Sequence, residues 1–347
     1  MFIHFLAGFQ QAMHPRLLIF NPETDYALAS DSEFYTPPKH VVDVRRRLSL
    51  LPARYASSSD VIMTLDSIGE HELVTLPYHD LVKQLGIRVY SINEVAASAD
   101  LRNELVAFRP LPWGWNRRIR RQLDEAFNRE LVLPSDVDVS SIRALSHRST
   151  SIRFLEKMRP ILDSEIELPV EIRDPQEALA YFERDQRRFF KAPWSSSGRD
   201  VMLCDDLETR HVAPWISGVI RSQGSVIMEK AYSKKLDFAT EWICRRGKSQ
   251  FIGYSVFTVS RRGKYRGNIS GTQNVLLDMI RSAYPRWSDS VLNAQKTALD
   301  EIISPDYSGP VGIDMLVTEN GNLNPCVEIN LRITMGMTEI EGISEVL

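Results

Sequence analysis

The sequence predicts a mixed α/β protein in which an open parallel sheet precedes a second, antiparallel sheet. Three observations predict it. Short apolar runs alternate with helix-like stretches in the first third of the chain. Longer alternating runs dominate the second half. Near the end, Asn320-Gly321 joins two such runs, a strong hairpin signal.

The bulk properties set few limits. The 347 residues amount to about two domains. At 43% hydrophobic and 25% charged the chain can bury more than one core. A net charge of -3 gives no general attraction to nucleic acid or membrane. Arginines cluster at Arg45, Arg46 and Arg47 and again at Arg117, Arg118, Arg120 and Arg121, the ordinary reading being a solvated helix face. Cys204, Cys244 and Cys326 show neither metal-ligand spacing nor a disulfide framework, which fits a reducing, cytoplasmic compartment. Residues 2–9 are apolar but short and follow no basic segment, so neither a signal peptide nor a membrane span is expected.

In chain order, residues 16–20 form a short buried-type strand that ends in Asn21-Pro22-Glu23-Thr24-Asp25. Residues 61–65 and 87–90 are two further strands, with helical material at 77–85 and 93–108. Open parallel sheets bind ligands beyond the carboxyl ends of their strands, so Asn21, Glu23 and Asp25 are substrate candidates. A turn that merely caps a helix accounts for them equally well. Residues 117–128 read as an amphipathic helix and 134–138 as a connector. A helix capped by the Ser146-to-Ser149 stretch runs to about Met158 and is stopped by Pro160. The first domain boundary is placed near Ser140.

Residues 188–192 are a strand ending in Lys191, followed by a loop of small residues through Ser195, Ser196, Ser197 and Gly198, then a strand at 201–204. Such a loop can wrap phosphates with its amides while the lysine supplies a point charge, although a surface hairpin has the same composition. Neither a Walker A motif nor a Gly-x-Gly-x-x-Gly is present. Residues 226–232 are a strand breaking into a loop. Residues 241–244, 250–259 and 311–317 belong to the antiparallel sheet. Residues 265–272 read as a long polar loop before a helix at 291–303.

The terminal hairpin has a parity that matters. A two-residue loop at Asn320-Gly321 would turn Asp314 and Glu328 to opposite faces. A three-residue loop with Gly321 in a left-handed position puts both acids on one face, and this loop is expected. Two acids and the Asn330 amide, with Arg332 one step on, suit Mg²⁺ and phosphate. A solvated polar face on an amphipathic hairpin would look similar.

The order of these parts (capped helix with a basic start, strand–Lys–small loop, strand–Glu–Lys, then Asp and Glu-x-Asn on a terminal hairpin) resembles the ATP-grasp superfamily. The resemblance covers about residues 146–336. It implies two α+β subdomains sandwiching a nucleotide, at 141–228 (lid) and 229–347 (metal site). Residues 1–140 would then be a preceding small open-sheet α/β domain with a helical connector. On this resemblance Arg148 and Lys191 contact the ATP phosphates under the loop of Ser195, Ser196, Ser197 and Gly198. Glu229, Lys230 and Tyr232 form the adenine hinge, and Asp237 takes the ribose hydroxyls. Asp314, Glu328 and Asn330 hold two Mg²⁺ ions, with Mn²⁺ as a substitute. Arg332, Lys191 and Arg266 are the catalytic candidates.

The family usually has Lys where Arg148 stands. Gly312 replaces the Arg that the peptide-ligase branch carries two residues before its metal Asp, which argues against a D-alanine–D-alanine ligase. The chain ends eleven residues after Gly336, so a closing helix is expected to be short or missing. The reaction implied is attack of a carboxylate on the γ-phosphate, then displacement of phosphate by an amine or, as the lesser option, a thiol. A kinase of the same fold and a nucleotide-binding regulatory domain without turnover are the alternatives. The partners implied are small-molecule acids and amines. The oligomeric state is left open, a dimer among the options.

Overall fold

The computed structural model describes residues 14–162, 165–182, 187–195, 200–204, 209–260 and 265–347, so the apolar opening at 2–9 lies outside the described residues. Contacts divide the chain into two compact units. Met1–Ile142 group with Arg332–Thr334 and Thr338–Leu347, and Arg143–Leu331 group with Met335–Met337. The sequence reading placed divisions near 140 and at 228. The contact division falls after Ile142, and position 228 lies inside a strand, Val226–Lys230.

The first unit holds a four-stranded parallel sheet of β1 (Arg16–Ile19), β2 (Val61–Thr64), β3 (Arg88–Ser91) and β4 (Arg109–Pro112), in the order β3-β2-β1-β4. Strands of four residues suffice because Leu17, Ile19, Val61 and Met63 bury fully against Val95, Leu105, Ile119, Leu123 and Phe127. At roughly 25 cal/mol per Å² of apolar surface, each such side chain contributes about 2 kcal/mol. Sequence reasoning missed β4, whose Pro110 and Pro112 cannot donate to a ladder. It lies at the sheet edge, where prolines are tolerated.

The arginine runs are not simply a solvated face. Arg45 is buried and bridges Glu23 and Asp66 at 2.8 Å each. On the helix Arg117–Ala126, Arg117 pairs with Asp31 at 2.8 Å, Arg118 with Glu23 at 2.7 Å, and Arg120 donates to the Pro134 carbonyl at 2.7 Å. These arginines fasten the segments around their helix to it. Arg16 makes a buried pair with Asp60 at 2.6 Å.

The second unit contains two antiparallel sheets. One joins β5 (Val170–Ile172), β6 (Arg188–Lys191), β7 (Val201–Cys204) and β8 (Val226–Lys230) in the order β5-β8-β6-β7. The other joins β9 (Lys234–Arg245), β10 (Lys248–Val259), β11 (Tyr265–Asn268), β12 (Gly309–Thr318) and β13 (Leu323–Asn330) in the order β11-β10-β9-β12-β13. The expected polar loop at 265–272 is therefore corrected: its first half pairs with β10 as β11, and its end caps the helix Gln273–Ala283 through Thr272. The helix Ser149–Leu162 also runs two residues past Pro160, the expected stop. No helix among the described residues is long and apolar enough to cross a membrane.

Candidate active site

The hairpin between β12 and β13 sets the geometry. Gly321 adopts φ +77°, its N–H donates to the Thr318 carbonyl at 2.9 Å, and Thr318 N–H donates to the Asn322 carbonyl at 2.9 Å. The tip is thus the three-residue loop Glu319-Asn320-Gly321, with its glycine in the left-handed region. Val317 pairs with Leu323 and Leu316 with Asn324, after which the register shifts. The shift coincides with Pro325, which has no N–H, and with Cys326, whose N–H turns to the Asn324 side chain at 3.2 Å. Between Leu316↔Asn324 and Asp314↔Glu328, β12 advances two residues (316 − 314) and β13 four (328 − 324), so parity survives. Asp314 then stands directly opposite Glu328, and Asn330 lies opposite Gly312.

Across β12, Ala239 of β9 faces Asp314 and Glu241 faces Gly312, placing Glu241 on the acid-bearing face. Glu241 is buried, accepts a bond from Ser255 Oγ at 2.9 Å, and leaves no room at Gly336, where a Cβ would overlap both side chains. Sequence reasoning missed it. The signal available was a carboxylate set among Phe238, Ala239, Trp242, Ile243 and Cys244.

Arg148, just before the helix Ser149–Leu162, binds the segment that follows β6. Its backbone N–H donates to the Pro193 carbonyl at 3.1 Å, and its Nε donates to the Ala192 carbonyl at 3.0 Å. Nη2 donates to Ser195 Oγ at 2.9 Å and pairs with Glu328 Oε1 at 2.8 Å. Only 7% of the residue is exposed, and its buried Nη1 has no hydrogen-bond partner among the described residues. A buried guanidinium N–H without an acceptor is costly, and a ligand oxygen would relieve it. Trp194 reinforces this segment: its Nε1 donates to the Arg143 carbonyl at 3.0 Å, and the Arg143 guanidinium lies 4.0 Å over its ring.

Lys191 ends β6 and forms an ion pair with Glu229, diagonally across on β8. Burial pushes its ammonium down from the ordinary lysine value; Glu229 opposes this, and nearby Arg148 adds to it. Of the remaining expected nucleotide residues, Lys230 sits 5.5 Å over the Tyr232 ring, and the Tyr232 hydroxyl accepts from Glu167 N–H at 2.8 Å. Asp237 is held by Lys234 at 2.7 Å. Ser196, Ser197 and Gly198 lie outside the described residues. Arg266 is exposed on β11.

Asn21, Glu23 and Asp25 belong to the first unit, as does Arg332. Asn21 Nδ2 donates to the Gly114 carbonyl at 2.8 Å, and buried Glu23 accepts from Arg45 and Arg118. Asp25 pairs directly with Arg332 at 3.0 Å. The expectation that Glu23 and Asp25 stand open to receive an amine is therefore corrected: each carboxylate is already answered by arginine. Arg45 and Arg118 are remote from Glu23 in sequence, which hid that pairing.

The donor set Asp314, Glu328 and Asn330 supplies hard oxygens of the kind Mg²⁺ takes, and the unpartnered Arg148 Nη1 suits a phosphate oxygen. Among the described residues, no group of three or more His, Cys, Asp or Glu is arranged to hold a metal; the candidate set here is two facing carboxylates, Asp314 and Glu328, with the Asn330 amide.

No protein-family model matches the chain, and no curated protein matches it in sequence. Solved structures do resemble it. The biotin carboxylase domain of the Hydrogenobacter thermophilus 2-oxoglutarate carboxylase, in complex with MgADP, ADP and bicarbonate, gives a TM-score of 0.55 at 16% identity, over 96% of this chain and 69% of that one. A biotin carboxylase–β,γ-ATP complex from Campylobacter jejuni gives 0.56 at 15% identity, over 96% and 70%. N5-carboxyaminoimidazole synthetase from Staphylococcus aureus gives 0.51 at 10% identity, over 86% and 75%. The chain has the ATP-grasp fold.

Proposed function

We propose that this protein is an ATP- and Mg²⁺-dependent ligase that joins a carboxylate to an amine through an acyl phosphate. The observation that carries the reading is the direct facing of Asp314 and Glu328, with Asn330 on the same face and Arg148 bonded to Glu328. Asp314, Glu328 and Asn330 are the residues that would hold the metal, and Lys191 and Arg148 the phosphates. Mg²⁺ would supply neutralisation of the phosphate charge. Glu229, Lys230, Tyr232 and Asp237 are assigned to the nucleoside, and Ser195 with Ser196, Ser197 and Gly198 to the loop over the phosphates. Arg332 and Arg266 are assigned to the transferring group. Asn21, Glu23 and Asp25, at the carboxyl end of β1, are assigned to the acid and amine substrates, Glu23 and Asp25 acting through the arginines they hold.

In the first step a substrate carboxylate oxygen attacks the γ-phosphorus, and the bond to ADP breaks. In the second, the amine nitrogen bonds to the acyl carbon, phosphate leaves and the amine loses a proton. Phosphoryl transfer of this kind needs positioning and charge more than a protein nucleophile. Cys326 fits that view, since burial pushes its thiol well above the ordinary value.

Phosphate release from ATP and Mg²⁺, measured against a mixed panel of acids and amines, tests the proposal. A ligase needs both members of a pair; a kinase needs one acceptor and yields ADP with a stable phosphorylated product. Neither phosphate release nor ADP formation with any pair, alongside intact ATP binding, would leave only a binding domain. Glu328→Gln should abolish turnover with an unchanged circular-dichroism spectrum. Wild-type turnover in that variant would remove Glu328 from the metal site.

A further inference from the structure

The metal-binding acid Glu328 carries a guanidinium. Arg148 Nη2 pairs with Glu328 Oε1 at 2.8 Å, so the cation cancels one of the two carboxylate charges that face each other on β12 and β13. The arginine is held there: Nε bonds Ala192 at 3.0 Å, Nη2 also bonds Ser195 Oγ at 2.9 Å, and the side chain is almost wholly buried. A lysine has one donor centre and could not make these contacts together; the planar fork of arginine can. Nη1 remains buried, with no hydrogen-bond partner among the described residues.

We propose that Arg148 makes the site select a metal–nucleotide complex over a metal ion alone. This rests on the metal-site reading given above. A divalent cation arriving by itself meets a carboxylate already paired to a guanidinium, and displacing that pair leaves a buried cation uncompensated. A cation arriving with a polyphosphate brings acceptor oxygens that satisfy both the displaced Nη2 and the orphaned Nη1. Selectivity thus comes from a charge placed against the unwanted ligand as much as from contacts to the wanted one. Because the same guanidinium holds Ala192 and Ser195, its transfer from Glu328 to phosphate also acts on the segment after Lys191.

Mn²⁺ binding, followed by the electron paramagnetic resonance of the unbound ion, tests this on the full chain. The measurement is made with and without adenylyl imidodiphosphate, on wild type, Arg148→Met and Arg148→Lys. Without nucleotide, Arg148→Met should bind Mn²⁺ at least tenfold tighter than wild type. With nucleotide the order should invert, the wild-type complex being at least tenfold tighter. Arg148→Lys, the milder change should the methionine variant not fold, should shift both affinities in the same directions by smaller factors. An unchanged or weaker affinity for Mn²⁺ alone in the variant that folds would overturn the proposal. Adding Glu328→Gln to the arginine variant separates the two levels. Loss of the gained Mn²⁺ affinity supports both, whereas its retention places the ion away from Glu328 and sinks the metal-site reading itself.

Discussion

Lys191 shows what burial does to a single charge. Burial at the end of the strand pushes its ammonium below the ordinary lysine value, and the Glu229 carboxylate on the neighbouring strand opposes that shift. The pair leaves the ammonium near Arg148, and the proposed phosphate contact can be tested there. Lys191→Ala should raise the ATP dissociation constant at least tenfold, about 1.4 kcal/mol of lost contact. The check is the rise in melting temperature that ATP produces, variant against wild type; equal protection would make Lys191 an ordinary strand lysine. The candidate metal residues were legible one by one because alternation along a strand and glycine chemistry at its turn are local. The pairing of Glu23 was not, since Arg45 and Arg118 lie 22 and 95 residues away from it. Glu241 was invisible for a related reason: its significance comes from β10 and Gly336 packing onto it.

The hairpin of β12 and β13 is the element on which the site depends. Its loop needs one residue at positive φ, and Gly321 supplies it with open space around it, so a substitution there costs backbone strain and little else. Gly321→Ala should therefore destabilise the protein by about 1 kcal/mol, and Gly321→Asn by less, because Asn tolerates the left-handed region. Urea midpoints at constant slope would show this ordering, and equal midpoints for the two variants would contradict the turn assignment. The odd loop and the two acids on one face could be derived from sequence, whereas the register shift at Pro325 could not be placed. Edge strands were the main loss: β4 carries two prolines, β11 is short and polar, and neither has the alternation that marks a central strand. The helix Thr209–Gln223 escaped notice because Pro214 interrupts its pattern.

For the molecule as a whole, the order of the parts was more informative than any one of them. Helix start, strand lysine, strand glutamate and terminal acid-bearing hairpin are each modest signals, yet their sequence along the chain pointed to the ATP-grasp fold that the structural comparisons show. Unit membership of the last residues was beyond local reasoning. Arg332–Thr334 and Thr338–Leu347 join the first unit and Met335–Met337 the second, a matter of long-range packing. The central claim is that the face of β12 and β13 binds a divalent metal together with a nucleotide. Anomalous scattering from crystals grown with Mn²⁺ and adenylyl imidodiphosphate tests it most directly. A peak at about 2.0–2.3 Å from oxygens of Asp314, Glu328 and Asn330, with nucleotide phosphate oxygens completing the shell, is the predicted result. Nucleotide bound with its metal elsewhere, and these three side chains left without an ion, would contradict it.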